Sequence, residues 1–116
     1  MRELALQTEI TSLDGTAFQF SETEKLTVGR GISRQLAMAK TDGEGQFVTL
    51  RLGMALSQAI RDGAETMLLE TTDFEHLQRV VELNCNGDLG WVDIVQAQIR
   101  QALKDAPEVQ VEKKPE

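Results

Sequence analysis

The sequence predicts an α+β protein in which an N-terminal β-hairpin packs with about four α-helices. Apolar residues alternate near the N-terminus, an Asp-Gly turn signal interrupts that alternation, and four later segments repeat apolar residues at helical spacing. The 116 residues are 41% hydrophobic, and with four Phe, one Trp and no Tyr the core must be mainly aliphatic. We expect one α+β domain over residues 1–106 and a flexible charged tail over 107–116.

Residues 3–20 have the pattern of the β-hairpin. Asp14-Gly15 is the turn signal, because Gly accepts a positive φ and Asp tolerates one. Alternate residues share one face on either side of it: Leu4, Leu6, Thr8 and Ile10 before the turn, and Thr16, Phe18 and Phe20 after it. The short apolar run Met67-Leu68-Leu69 is either a third strand beside the hairpin or a connection.

Two helices are predicted in the middle of the chain. The first begins at the N-cap residue Thr27, although Gly29 and Gly31 each weaken its first turn by about 1 kcal/mol relative to Ala. The loop over 42–45 separates it from a second helix, which starts at about Phe47 or Thr49 and ends at Arg61. The apolar stripes are Val28, Ile32, Leu36 and Ala39 in the first helix, and Leu52, Leu56 and Ile60 in the second, with Met54 and Ala59 flanking.

Two further helices are predicted in the C-terminal third. Thr72 and Glu75 have the spacing of a capping box, and 84–87 supplies the stop. The last helix runs from about Gly90 to Lys104, and Pro107 ends it. The apolar stripes are Phe74, Leu77, Val80, Val81 and Leu83 in the third helix, and Val92, Val95, Ile99 and Leu103 in the fourth.

Charge and targeting signals narrow the class of protein. The net charge of −7 disfavours nucleic-acid binding, and a helix-turn-helix interpretation of the last two helices would leave its recognition helix with Arg100 and Lys104 as its cations. A nucleic-acid-linked regulator that uses this C-terminal helix pair remains the alternative hypothesis. No window approaches the roughly 18 apolar residues of a membrane span, and the start lacks the apolar core of a secretory signal. We expect a cytoplasmic protein.

The residues capable of chemistry occur singly. His76 lies opposite the main apolar stripe of its helix, with no nucleophile at a motif spacing, and Cys85 follows a helix C-terminus, whose dipole disfavours a thiolate. One His and one Cys are too few soft ligands for a metal site. Gly29-Arg30-Gly31 lacks the Lys and Ser/Thr of a phosphate-binding loop. We expect no enzymatic activity and no cofactor.

The start of the last helix is the candidate protein-interaction site. Trp91 is either a partly exposed anchor for a partner or a lid on the core, since tryptophan is used in both ways. Gln96, Gln98 and Gln101 form a neutral face that another subunit could approach. The predicted interaction residues are Trp91, Val95 and Gln98, and the expected partners are other proteins, including further copies of this chain.

Three segments carry a resemblance to a known group of proteins: LTVGRGISRQLAMA, VTLRLGMALSQAI and TTDFEHLQRVVEL. Over residues 26–104 the chain resembles small proteins encoded in the morphogenesis regions of tailed phages and prophages, some of which are tail-assembly chaperones. The resemblance implies a non-enzymatic role in tail or virion assembly. It identifies no functional residues to transfer to this sequence.

Overall fold

The computed structural model describes residues 1–83 and 92–109, which form two strands and four helices. Their order is β1 (Arg2–Ala5), α1 (Val28–Met38), α2 (Glu44–Arg61), β2 (Thr66–Leu69), α3 (Thr71–Leu83) and α4 (Asp93–Asp105). The predicted α+β class is confirmed. None of these helices is long and apolar enough to cross a membrane.

The sheet joins segments that are distant in sequence. β1 pairs antiparallel with β2, with Arg2 opposite Leu69 and Ala5 opposite Thr66. The run Met67-Leu68-Leu69 is therefore a strand, and its partner is the first segment of the predicted hairpin. The segment that follows the turn at 14–15 makes isolated bridges instead, such as the one between Thr11 and Ala17.

The turn at Asp14-Gly15 does reverse the chain as predicted. Gly15 has a φ of 87°, which a residue with a Cβ rarely adopts. Asp14 accepts hydrogen bonds from the Ser12 hydroxyl and, at 3.0 Å, from the backbone N–H of Thr16. Because these donors stabilise the carboxylate, they lower the pKa of Asp14 to about 2.

Helix boundaries agree with the sequence in one case and differ by a few residues in others. Thr27 caps α1, its Oγ1 accepting from the N–H of Arg30 at 3.3 Å, as predicted. α2 begins at Glu44, earlier than predicted, because Gly43 (φ 57°) already terminates the loop and a carboxylate in the first turn suits the helix dipole. α3 begins at Thr71, so Thr72 lies inside the first turn and not at its cap.

One apolar core joins all of these elements, from Leu4 of β1 to Ala106 after α4.

Part of the predicted tail also pairs with the beginning of the chain. The N–H of Glu3 donates to the Pro107 carbonyl at 3.0 Å, and the N–H of Val109 donates to the Met1 carbonyl at 2.7 Å. Residues 110–116, the remainder of the predicted tail, lie outside the described residues.

Candidate functional site

His76 lies in the interface between α3 and α2, not on an exposed face. It is 8% exposed, and its Nε2 is 2.8 Å from Oγ1 of Thr49, itself 3.4 Å from Oγ1 of Thr41. The expectation that His76 lies opposite the apolar stripe is wrong, because the buried arc of α3 is wide. Val80, four residues on and hence on the same face, is buried as well.

The environment of His76 favours the neutral imidazole. Burial lowers its pKa, and the positive charge of Arg79 lowers it further, while Asp73 opposes the shift. Thr49 is also buried. The two side chains are therefore hydrogen-bonded to each other at a helix interface and are largely shielded from solvent.

A bidentate ion pair joins the same two helices closer to solvent. Nη1 and Nη2 of Arg51 donate to the two carboxylate oxygens of Asp73 at 3.0 and 2.6 Å. The guanidinium lowers the pKa of Asp73, and the carboxylate raises that of Arg51. Arg51 is thus an exposed cation whose charge is already matched within the chain.

The Gly29-Arg30-Gly31 segment does not present its amides to an anion. The N–H of Gly29 donates to the Leu6 carbonyl at 3.0 Å, and the N–H of Gly31 donates to the Thr27 carbonyl at 2.9 Å. A Cβ on Gly29 would lie 3.0 Å from that Leu6 oxygen. The glycine is therefore required by the close passage of α1 beside the segment that follows β1.

A buried pair of amides connects α1 to α4. Gln35 is 0% exposed and Gln96 is 4% exposed, and each side-chain N–H donates to the other's oxygen, at 2.9 and 3.2 Å. Gln96 also donates to the Val81 carbonyl of α3 at 3.1 Å. The prediction that Gln96 belongs to a neutral surface is wrong, because α4 turns this position inward.

The two predicted interaction residues that the structure describes, Val95 and Gln98, do not form an exposed surface. Val95 is 1% exposed and belongs to the core. The side chain of Gln98 donates to the Thr11 carbonyl at 2.6 Å and accepts from its N–H at 3.1 Å, so it holds the N-terminal segment. Trp91 lies outside the described residues, as does Cys85.

No observation on α4 favours a nucleic-acid interface. Nε of Arg100 donates to Glu82 at 2.9 Å, so this cation is paired with a neighbouring helix. Within residues 1–83 and 92–109, no three side chains of His, Cys, Asp or Glu come together as ligands for a metal ion.

The outer face of α2 carries an exposed apolar stripe that was not predicted, and Met54, expected to flank the buried stripe, belongs to it. Phe47, Leu50 and Met54, the α2 stripe, are 68, 62 and 64% exposed. They lie opposite the buried side chains of the same helix, Thr49, Leu52 and Leu56. The signal was present in the spacing, since steps of three and four residues place all three on one face.

An open groove of about 790 Å³ runs beside this stripe, between α2 and α1. Leu50 and Met54 form one wall of the groove. Small side chains line part of the groove, and the hydroxyls of Ser33 and Ser57 are in hydrogen-bond contact there at 3.2 Å. The lining also includes Leu36, Ala37, Ala39 and Gly53.

Comparison with protein-family models, with curated proteins and with solved structures finds no match to this chain.

Proposed function

We propose that this chain is a non-enzymatic, cytoplasmic assembly protein that acts by binding other proteins through the α2 stripe. The observation that supports the proposal is the exposure of Phe47, Leu50 and Met54 on one face of one helix. Large apolar side chains scattered singly over a surface need no explanation, whereas a contiguous set along a helix is typical of a protein-binding face.

The α2 stripe offers a substantial apolar contribution to binding. Burying a Phe, Leu or Met side chain completely stabilises a complex by about 1.5–3 kcal/mol. Since the three side chains are roughly two-thirds exposed, covering all of them gives about 3–6 kcal/mol before the cost of association.

The polar groups of the described interior support the same proposal. His76, Thr49, Gln35 and Gln96 are buried and bonded to one another or to the backbone. They are bonded across helix interfaces, although Thr49 also lines the groove between α1 and α2. The resemblance to proteins of phage and prophage morphogenesis regions points to tail or virion assembly as the process served.

Site-specific photo-cross-linking in the native host tests the proposal. A photoreactive residue at Met54 should form defined adducts with a second polypeptide, either a further copy of this chain or a different protein. The same residue at Leu13, 88% exposed on the N-terminal turn, serves as the matched control. The double substitution Phe47→Ser/Leu50→Ser should abolish the Met54 adducts. Equal adducts from both positions, or adducts that persist in the double variant, would contradict the proposal.

A further inference from the structure

The α2 stripe continues a regular pattern along the whole helix. The steps from Phe47 to Leu50 to Met54 are three and four residues. The same steps extend to Ser57 and Arg61 on one side and to Gly43, the residue before the helix, on the other. This spacing of three and four is the seam pattern of two helices that pack side by side. The face is thus shaped for another helix of similar length.

We propose that the occupant of the α2 stripe is the α2 stripe of a second copy of this chain, packed antiparallel. The inference rests on the function proposed above and specifies its partner. In an antiparallel seam, Leu50 of one copy lies opposite Met54 of the other, and Phe47 lies opposite Ser57. Each large side chain of the stripe then meets either another apolar side chain or a small residue.

The groove between α1 and α2 fits this register. Ser57 lines the groove together with Ser33 and Gly53, and none of them fills it. Phe47 of the second copy arrives at Ser57, so its ring enters the groove beside Met54. The twofold symmetry of the pair repeats the same insertion at the other end, which makes the surface self-complementary.

Charge decides between the antiparallel and the parallel arrangement. Arg61 and Glu44, both exposed, lie at opposite ends of α2. The antiparallel register brings Arg61 opposite Gly43 of the second copy, next to its Glu44, at both ends of the pair. A parallel pair would instead place Arg61 against Arg61 and Glu44 against Glu44. Arg51 lies near the twofold axis, where its charge is already matched by Asp73.

Sedimentation equilibrium of the full chain provides the first test. We expect a mass near twice the 12.9 kDa of the monomer, and Leu50→Glu should weaken the dimer at least tenfold. Leu13→Glu is the control and should leave the dimer unchanged. Because Leu50 and Leu13 are both exposed, each variant should fold, and far-UV circular dichroism checks this. A monomer at all concentrations would overturn the dimer but not the Met54 cross-linking test of the proposed function.

Cysteine cross-linking tests the orientation, in a Cys85→Ser background that leaves one engineered thiol. In the antiparallel register the two copies of residue 51 lie about 3 Å apart along the helix axis, whereas those of residue 58 lie about 18 Å apart. A short bifunctional maleimide should therefore join Arg51→Cys chains and leave Gln58→Cys chains unjoined. Efficient joining at position 58 would establish a parallel pair and overturn the proposal, as would the failure of Arg51→Cys to join.

A charge exchange tests the contact between the ends. Glu44→Arg and Arg61→Glu should each weaken the dimer by about fivefold to tenfold, because two repulsive contacts replace two attractive ones. The double variant Glu44→Arg/Arg61→Glu should restore the dimer, although it also reverses both interactions with the helix dipole. Additive weakening in the double variant would overturn the register.

Discussion

Replacing Gln96 by Leu should destabilise the protein by about 3 kcal/mol. Both polar atoms of the Gln35 amide, 0% exposed, would lose their partner in Gln96, and the Val81 carbonyl would lose its contact at 3.1 Å. Each polar group of the buried Gln35 amide that is left without a partner costs about 1–3 kcal/mol, and the apolar Leu recovers part of this sum.

The same substitution at the partner position should lower the free energy of unfolding by less. Gln35→Leu should cost about 1–2 kcal/mol, because Gln96 keeps its contact with the Val81 carbonyl. The double variant Gln35→Leu/Gln96→Leu removes both amides and should cost about 1 kcal/mol, less than Gln96→Leu by itself. The two positions are therefore expected to be strongly coupled.

Urea unfolding followed by far-UV circular dichroism measures these free energies by linear extrapolation. Gln101→Leu is the matched control on the same helix. Its side chain is exposed and bonds to Asp105, so the change should stay within about 0.5 kcal/mol. The reasoning would be refuted if Gln96→Leu equalled this control, or if the double variant cost the sum of the single ones.

Two further predictions concern the packing of α1 and the titration of His76. Gly29→Ala should destabilise the protein by about 1–3 kcal/mol, because its Cβ would lie 3.0 Å from the backbone oxygen of Leu6. Gly53→Ala should instead stabilise α2 by up to about 1 kcal/mol, since the nearest atom to its Cβ would be 3.8 Å away. Equal effects in thermal unfolding would contradict the steric argument. The lowered pKa of His76, the one histidine, means that the unfolded chain takes up its proton first as the pH falls below about 6.5. Stability should be fully present above about pH 7 and decline as the pH falls through about 6.5, by at most about 1.4 kcal/mol per pH unit, and His76→Gln should remove this decline. If the stability of His76→Gln fell with pH as steeply as that of the wild type, the decline could not be attributed to His76.

The sequence predicted features that depend on neighbouring residues. Thr27 caps α1 because its hydroxyl reaches the N–H of Arg30, three residues away. The inner stripe of α2 follows from helical spacing, and Leu52 and Leu56 are buried as predicted. The reversal at Asp14-Gly15 follows from local turn chemistry.

Features that depend on tertiary packing could not be predicted from the sequence. A turn signal shows that the chain reverses but not which strand β1 pairs with, and its partner is β2. The burial of His76 depends on how far α2 covers one side of α3. Gln96 appears polar in the sequence, and only the position of Gln35 on another helix explains why it is buried. The α2 stripe was not predicted because its residues repeat at the same helical spacing as the buried residues of α2, and spacing does not show which series the rest of the fold covers.

The pairing of β1 with β2 has a consequence for the order of folding. About 60 residues separate Ala5 from Thr66, and closing a loop of that length costs about 4 kcal/mol of chain entropy. The α1–α2 hairpin is local and can form before that cost is met. We therefore expect the two strands to pair after the rate-limiting barrier. Truncating the Leu4 side chain should then accelerate unfolding and leave the refolding rate nearly unchanged.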